Sequence, residues 1–196
     1  MNADQWTYLD VGVSGIQRYL GRTPDLKGRR GASAWISDAT DRQRLDAWLT
    51  EQRPDLAAAG VEVNLEAGQA DGLVPLRCPT KVDPQTLASS VIDDLRGHLP
   101  AVRISAHWGT GGTYVEARHD WLDAHEGPQL TSPPPISDFP PLETCGQCRA
   151  DPAVEETFIH EKRVRVCADC RARYVDRYRQ RALREGAVTV GAERLL

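Results

Sequence analysis

The sequence predicts an α+β protein, a β-α-β-β-α-β domain followed by a small cysteine-centred module. Three observations carry this expectation. Short apolar, β-branched runs recur at 6–13, 60–67, 72–79 and 101–109; one strongly amphipathic stretch lies between the last two; and two Cys-x-x-Cys pairs stand near the C-terminal end.

The first run, "WTYLDVGV", alternates and is rich in aromatic and β-branched residues, which reads as a strand with Asp10 as its one acid. Residues 14–53 read as helical, with Ala34, Leu45, Trp48 and Leu49 at helix-compatible spacings, a stop at Pro54 and a break around Thr23 to Arg30. "GVEVNLEA" and "GLVPLRCP" then form a hairpin through a tight connection from Gly68 to Gly72. The next segment has the plainest signals: Asp83 as N-cap, Pro84 at the first helical position, and Leu87, Ala88, Val91, Ile92, Leu95 and Leu99 on one face. "AVRISAHWG" is the fourth strand, and Thr113 to Glu126 is a further helix. This order is that of the ferredoxin-like fold, two crossovers around a four-stranded antiparallel sheet. Six prolines between Gly127 and Pro141 make a stiff, extended connector. The expected organisation is therefore a domain at 1–126, a linker at 127–142 and a module at 143–196.

Cys145, Cys148, Cys167 and Cys170 form two Cys-x-x-Cys pairs 18 residues apart, a spacing that lets four thiolates turn toward one point and complete a tetrahedral site suited to Zn²⁺. The intervening "ETFIHEKRVRV" alternates like a hairpin, and the second pair opens a helix. Knuckle, hairpin and knuckle at a helix N-terminus is the layout of a treble-clef zinc finger. With four sulfur ligands no place is left for a reacting water, so the expected zinc is structural. Cys78, alone at a strand end, reads as a buried small hydrophobe.

At 196 residues, 40% apolar and 27% charged, the chain has the composition of a globular protein with one core of ordinary size and an appendage. No apolar run spans a bilayer, and the start Met-Asn-Ala-Asp-Gln-Trp lacks the features of a secretory signal, so a cytoplasmic location with reduced cysteines is expected. The net charge of −4 divides unevenly: residues 161–184 hold nine Lys/Arg against three acids, or +6, leaving −10 elsewhere. The basic helix at 170–184 is thus either a contact for RNA or another anionic partner, or a solvated face.

"SGIQRYLGRTPDLKGRRGAS" fits neither GxxxxGK[ST] nor GxGxxG, so neither standard phosphate loop is present. Two readings of it stand side by side. In one, the backbone N–H groups of the turn at Ser14 and Gly15, with Arg29 and Arg30, receive a phosphate. In the other, Ser14 caps a helix and the arginines are wet surface. The five histidines show no metal or catalytic spacing.

"LDVGVSGIQRYL" followed by "DLKGRRGAS" resembles the start of a palm domain in the large, polymerase-like subunit of type III CRISPR-Cas effector complexes. The matching residues are Ser14, Gly15, Ile16, Gln17, Leu26, Gly28 and Arg29, and Cys145, Cys148, Cys167 and Cys170 match the zinc module that follows that family's first, non-catalytic palm. The resemblance runs along nearly the whole chain. It implies a palm of the GGDEF-like type that scaffolds an RNA-guided antiviral complex. It also implies that Ser14, Gly15, Gln17, Arg29 and Arg30 support ATP, with Mg, at an interface with a second, catalytic palm. Its implied partners are that palm or other effector subunits. The departures are equally specific. The family's Gly-Gly-Asp-Asp hairpin is absent, the corresponding segment reading "EAGQADG", and Asp10 and Asp71 alone make a poor two-metal site. The nuclease domain that precedes the palm in the family is missing too, so the expectation is a piece of a longer protein or a degenerate stand-alone form, inert as an enzyme by itself. Two other classes remain open: a stand-alone zinc-dependent RNA- or protein-binding adaptor, and a free-standing nucleotide cyclase.

Overall fold

The computed structural model describes residues 5–68, 71–124, 127–134 and 143–177. The chain divides by its internal packing into two compact units, one of Met1–Ser14 and Ser37–Pro134, the other of Gly15–Ile36 and Pro135–Leu196.

The first unit is an antiparallel five-stranded sheet with helices. Its strands are β1 (Trp6–Ser14), β2 (Glu62–Val63), β3 (Leu73–Pro79), β4 (Arg103–Gly111) and β5 (Leu130–Ser132), in the spatial order β2-β3-β1-β4-β5. β1 is central, in register with β3 from Trp6↔Pro79 to Gly12↔Leu73 and with β4 from Trp6↔Gly111 to Ser14↔Arg103. Its period of two sorts the two faces. Leu9, Val11 and Val13 point one way and are buried. Tyr8 and Asp10 point the other way, where Tyr8 joins Tyr114, Ala117 and Trp121 of the helix Tyr114–Ala124 in an aromatic cluster.

Among the described residues the α-helices are α1 (Ile16–Leu20), α2 (Leu26–Ala39), α3 (Arg42–Ala47), α4 (Pro54–Ala58), α5 (Pro84–His98), α6 (Tyr114–Ala124) and α7 (Ala168–Arg171). α5 is as read from the sequence: the Asp83 carboxylate accepts from Thr86 N at 2.9 Å, Pro84 opens the helix, and Leu87, Ala88, Val91, Ile92 and Leu95 are buried. α5 packs on β1 and β4, as does α6. Among the described residues no helix is long and apolar enough to cross a membrane.

Three segments differ from expectation. The helical stretch 14–53 is broken at Gly21–Asp25 and at Thr40–Asp41, and α2 runs straight through Gly28 to Arg30, where the sequence predicts a break. Asp25 explains the start, since its Oδ1 accepts from Gly28 N at 2.9 Å and caps the first turn. The hairpin of β2 and β3 is not tight: pairing stops after Val63↔Leu76, because the Asn64 side chain accepts from Glu66 N and turns the chain into a 3₁₀ turn, Leu65–Ala67. Within the proline-rich run, Leu130–Ser132 is a strand rather than connector, pairing Ile104↔Ser132, Ser105↔Thr131 and Ala106↔Leu130 on β4. Gln129 fixes its entry, donating to Trp108 O at 2.8 Å. The rest of the expected linker, 135–142, and the end of the helix expected to reach Glu126 lie outside the described residues.

In the second unit β6 (Glu155–Ile159) and β7 (Lys162–Val166) pair antiparallel from Glu155↔Val166 to Ile159↔Lys162. Their two-residue turn, His160 and Glu161, has φ of 50° and 62°, the doubly left-handed geometry that matches strand twist in short hairpins. α7 follows and continues as a π-helical turn, Ala172–Arg177. This unit also contains Gly15–Ile36, which the sequence places in the first domain. Gly28 and Gly31 show why. A Cβ on Gly28 would lie 2.7 Å from Tyr174 Cζ, and one on Gly31 only 1.9 Å from Arg173 O. Gly28 is where α2 meets the Thr23 hydroxyl and the Tyr174 ring, and Gly31 is where it meets the Arg173 backbone.

Candidate metal centre

The four cysteines converge. One sulfur from each of Cys145, Cys148, Cys167 and Cys170 lies within 4.8 Å of the other three, and Cys148 Sγ is 3.8 Å from Cys167 Sγ. Four thiolates held tetrahedrally about 2.3 Å from a metal lie about 3.8 Å apart, so the sulfur spacing fits a four-thiolate ion site. All five cysteines of the chain are free of disulfides.

Local backbone geometry brings each pair in. Gly146 is required beneath the first knuckle, where a Cβ would meet Val164 Cγ1 at 2.7 Å, and its N–H donates to Arg165 O at 2.9 Å. Arg149 closes the knuckle with φ of 54°, its N–H donating to Cys145 O at 2.9 Å. Cys167 is the N-cap of α7, its sulfur accepting from Cys170 N at 3.4 Å. A cap residue whose side chain receives backbone N–H groups is well placed to be a thiolate. Hydrogen bonds with Cys148 hold Cys145 below the usual thiol range, while those with Cys145 push Cys170 above it. A divalent cation held there would take all four as thiolates.

Around the cluster lies a buried polar network that the sequence does not reveal. Asp169, between the two cysteines of the second pair, accepts from the Tyr19 hydroxyl at 2.8 Å and pairs with Arg173 Nε at 2.8 Å. Arg173 is 0% exposed; it donates to Tyr19 O at 3.0 Å, and its guanidinium stacks 3.9 Å from the Tyr19 ring centroid. Arg22 forms an ion pair with Asp151 and lies 4.0 Å from both Asp169 and Cys148 Sγ. Burial opposes its charge, but Asp169, Asp151 and Cys148 hold the Arg22 guanidinium above its usual range. Nearby, the Tyr174 hydroxyl donates to Asp25, which also caps α2. The only signal for this network in the sequence is a mixed-charge stretch, "CADCRARY", whose meaning depends on contacts such as that of Asp169 with Tyr19, 150 positions upstream.

The candidate nucleotide residues are scattered in character. Ser14 does not cap α1: its hydroxyl donates to Arg103 O at 3.4 Å, and the cap position belongs to Gly15, which has φ of 70° and no side chain to offer. Gln17, Arg29 and Arg30 are exposed, and Arg29 Nε donates to Thr23 O at 3.4 Å. Arg173, one of the cations of the basic helix, is buried and so unavailable to an RNA backbone; the side chain of Arg177 and all residues beyond it lie outside the described residues. Asp10 and Asp71 serve other partners, the Tyr114 hydroxyl at 2.7 Å and the Ser37 hydroxyl at 3.0 Å. Cys78 is buried as expected, and burial pushes its thiol up to about 11.

Compared with models of known protein families and with curated proteins, the chain matches none.

Proposed function

We propose that this chain is the non-catalytic palm and zinc-binding portion of a type III CRISPR-Cas large subunit, scaffolding an RNA-guided antiviral complex. In this reading a separate catalytic palm makes cyclic oligoadenylate, and this one supports its ATP. The observation that carries the reading is the convergence of the four cysteine sulfurs in a chain whose central strand runs directly into the Ser-Gly-Ile-Gln turn. Two finer assignments belong with it. The order β2-β3-β1-β4, with β5 as an added edge, supports a ferredoxin-like palm. The succession of first knuckle, β6–β7 hairpin, and Cys167 capping α7 supports a treble clef binding structural zinc.

The test is biochemical. The purified chain with ATP and Mg²⁺ or Mn²⁺ yields no oligoadenylate; mixed with a palm carrying Gly-Gly-Asp-Asp, it raises that palm's affinity for ATP, and Arg29→Glu with Arg30→Glu abolishes the gain. Oligoadenylate from the chain alone, or no effect on a catalytic palm, sinks the proposal. The adaptor reading has one observation in its favour, the basic composition of 170–184. It predicts RNA binding that weakens steeply with salt and is lost on neutralising Arg177 and Arg181.

A further inference from the structure

We propose that Arg22 is the charge-balancing residue of the metal centre and that, through it, metal loading grips the segment Gly15–Ile36. This rests on the cysteine cluster being a metal site. A divalent cation held by four thiolates carries a net charge of −2, and Cys145, Cys167 and Cys170 are buried. Leaving such a charge uncompensated away from water is costly. The Asp151 carboxylate adds to the excess, its Oδ2 lying 3.7 Å from Cys167 Sγ and 3.9 Å from Cys148 Sγ. Arg22 touches both and offsets part of this charge: one terminal nitrogen reaches Cys148 Sγ at 4.0 Å and also pairs with Asp151, while the other faces Asp169.

The cation comes from the loop after α1, 126 residues before Cys148. Zinc fingers commonly balance their sulfur charge with backbone N–H donors from their own knuckles. Here part of that task falls to a distant segment, so the metal site is complete only when Gly15–Ile36 is in place. Tyr19 and Arg173 make the same connection on the side of Asp169.

The experiment titrates the full chain with Co²⁺ against a competing chelator and follows the thiolate-to-cobalt charge-transfer band. The wild type gives the band of a four-sulfur tetrahedral site. Arg22→Gln lowers affinity by roughly 10- to 100-fold, the usual range for a lost outer-shell partner, while Arg22→Lys, which keeps the charge, stays near wild type. Arg22→Gln also exposes the bond after Arg18 to trypsin in the metal-loaded protein. Unchanged affinity in Arg22→Gln overturns the proposal, and equal loss in both variants overturns its charge-balancing basis. Absence of the band in the wild type refutes the metal site itself, a separate outcome.

Discussion

Replacing Gly31 by alanine separates a packing role for "DLKGRRG" from a role in gripping a nucleotide. On helix propensity alone the change is favourable, by about 1 kcal/mol, because glycine is the poorer helix former in the middle of α2. The structure reverses the sign. The new methyl carbon stands 1.9 Å from Arg173 O, 2.7 Å from its carbonyl carbon and 3.0 Å from its Cα, all backbone atoms that cannot rotate aside. Normal contact, at about 3.4 Å or more between such atoms, needs about 1.5 Å of separation between α2 and the turn after α7. That movement draws Arg173 from Tyr19 O and loosens its pair with Asp169. Overpacking of this kind costs about 1–3 kcal/mol, and disturbance of the buried pair adds to it, so a net loss of about 2 kcal/mol is expected. The assay is urea denaturation of the chain with Zn²⁺ added, with Gly97→Ala as control, because a Cβ on Gly97 in α5 meets nothing within 4 Å. Gly97→Ala is neutral or stabilising by up to about 1 kcal/mol. If Gly31→Ala is as stable as the wild type, the close approach of α2 and Arg173 is refuted.

Chelation of the metal is expected to melt the second unit while leaving the aromatic near-ultraviolet signal of Tyr8, Tyr114 and Trp121 in the first, giving two transitions where the loaded protein has fewer. Cys170→Ser produces the same state without chelator and is not rescued by added zinc. Arg173→Ala leaves Asp169 charged and buried, costing about 3–5 kcal/mol, whereas Asp169→Asn with Arg173→Met recovers much of that loss; urea midpoints measure both. Asp10 supplies a pH dependence. Burial raises its carboxyl above the usual value despite the Tyr114 hydrogen bond, so the folded state holds a proton that the unfolded state has released. Its contribution to stability therefore falls as pH rises from the unfolded value through the folded one. Asp10→Asn removes that dependence, so its stability relative to wild type increases between about pH 4 and the folded-state midpoint, measured by urea midpoints at a series of pH values.

The features legible in the sequence are those whose cause is local. α5 announces itself through a cap, a proline and an apolar face, and the cysteine pairs through a spacing that suits four thiolates around one ion. β1 and β4 are readable from alternation. The misreadings share a different cause. Gly28 falls inside the break expected around Thr23 to Arg30, yet it lies within α2, where the Tyr174 ring leaves no room for a side chain. Leu130–Ser132 is hidden among prolines because an edge strand needs its hydrogen bonds on one side only. Arg173 counts as a cation for an external partner in any sum of charges, because a net charge does not show that Asp169, four residues earlier, buries it. The candidate metal site is thus visible at its ligands and invisible at Tyr19, Arg22, Asp151 and Asp169, which reach it only through the fold.

The second unit is assembled from two stretches of chain with four of the first unit's five strands, β2 to β5, between them. On the ribosome this imposes a delay. Once residues 15–36 emerge, Tyr19, buried in the finished protein against Asp169 and Arg173, waits for the cysteines and α7 to be made. At ordinary rates of about 5–20 residues per second, the roughly 140 intervening residues take about 7–30 s to synthesise. The sheet of β1, β3 and β4 can close within that time, but the exposed helical segment cannot. On the reading that the four cysteines hold a metal, its supply then sets how quickly that segment is packed away.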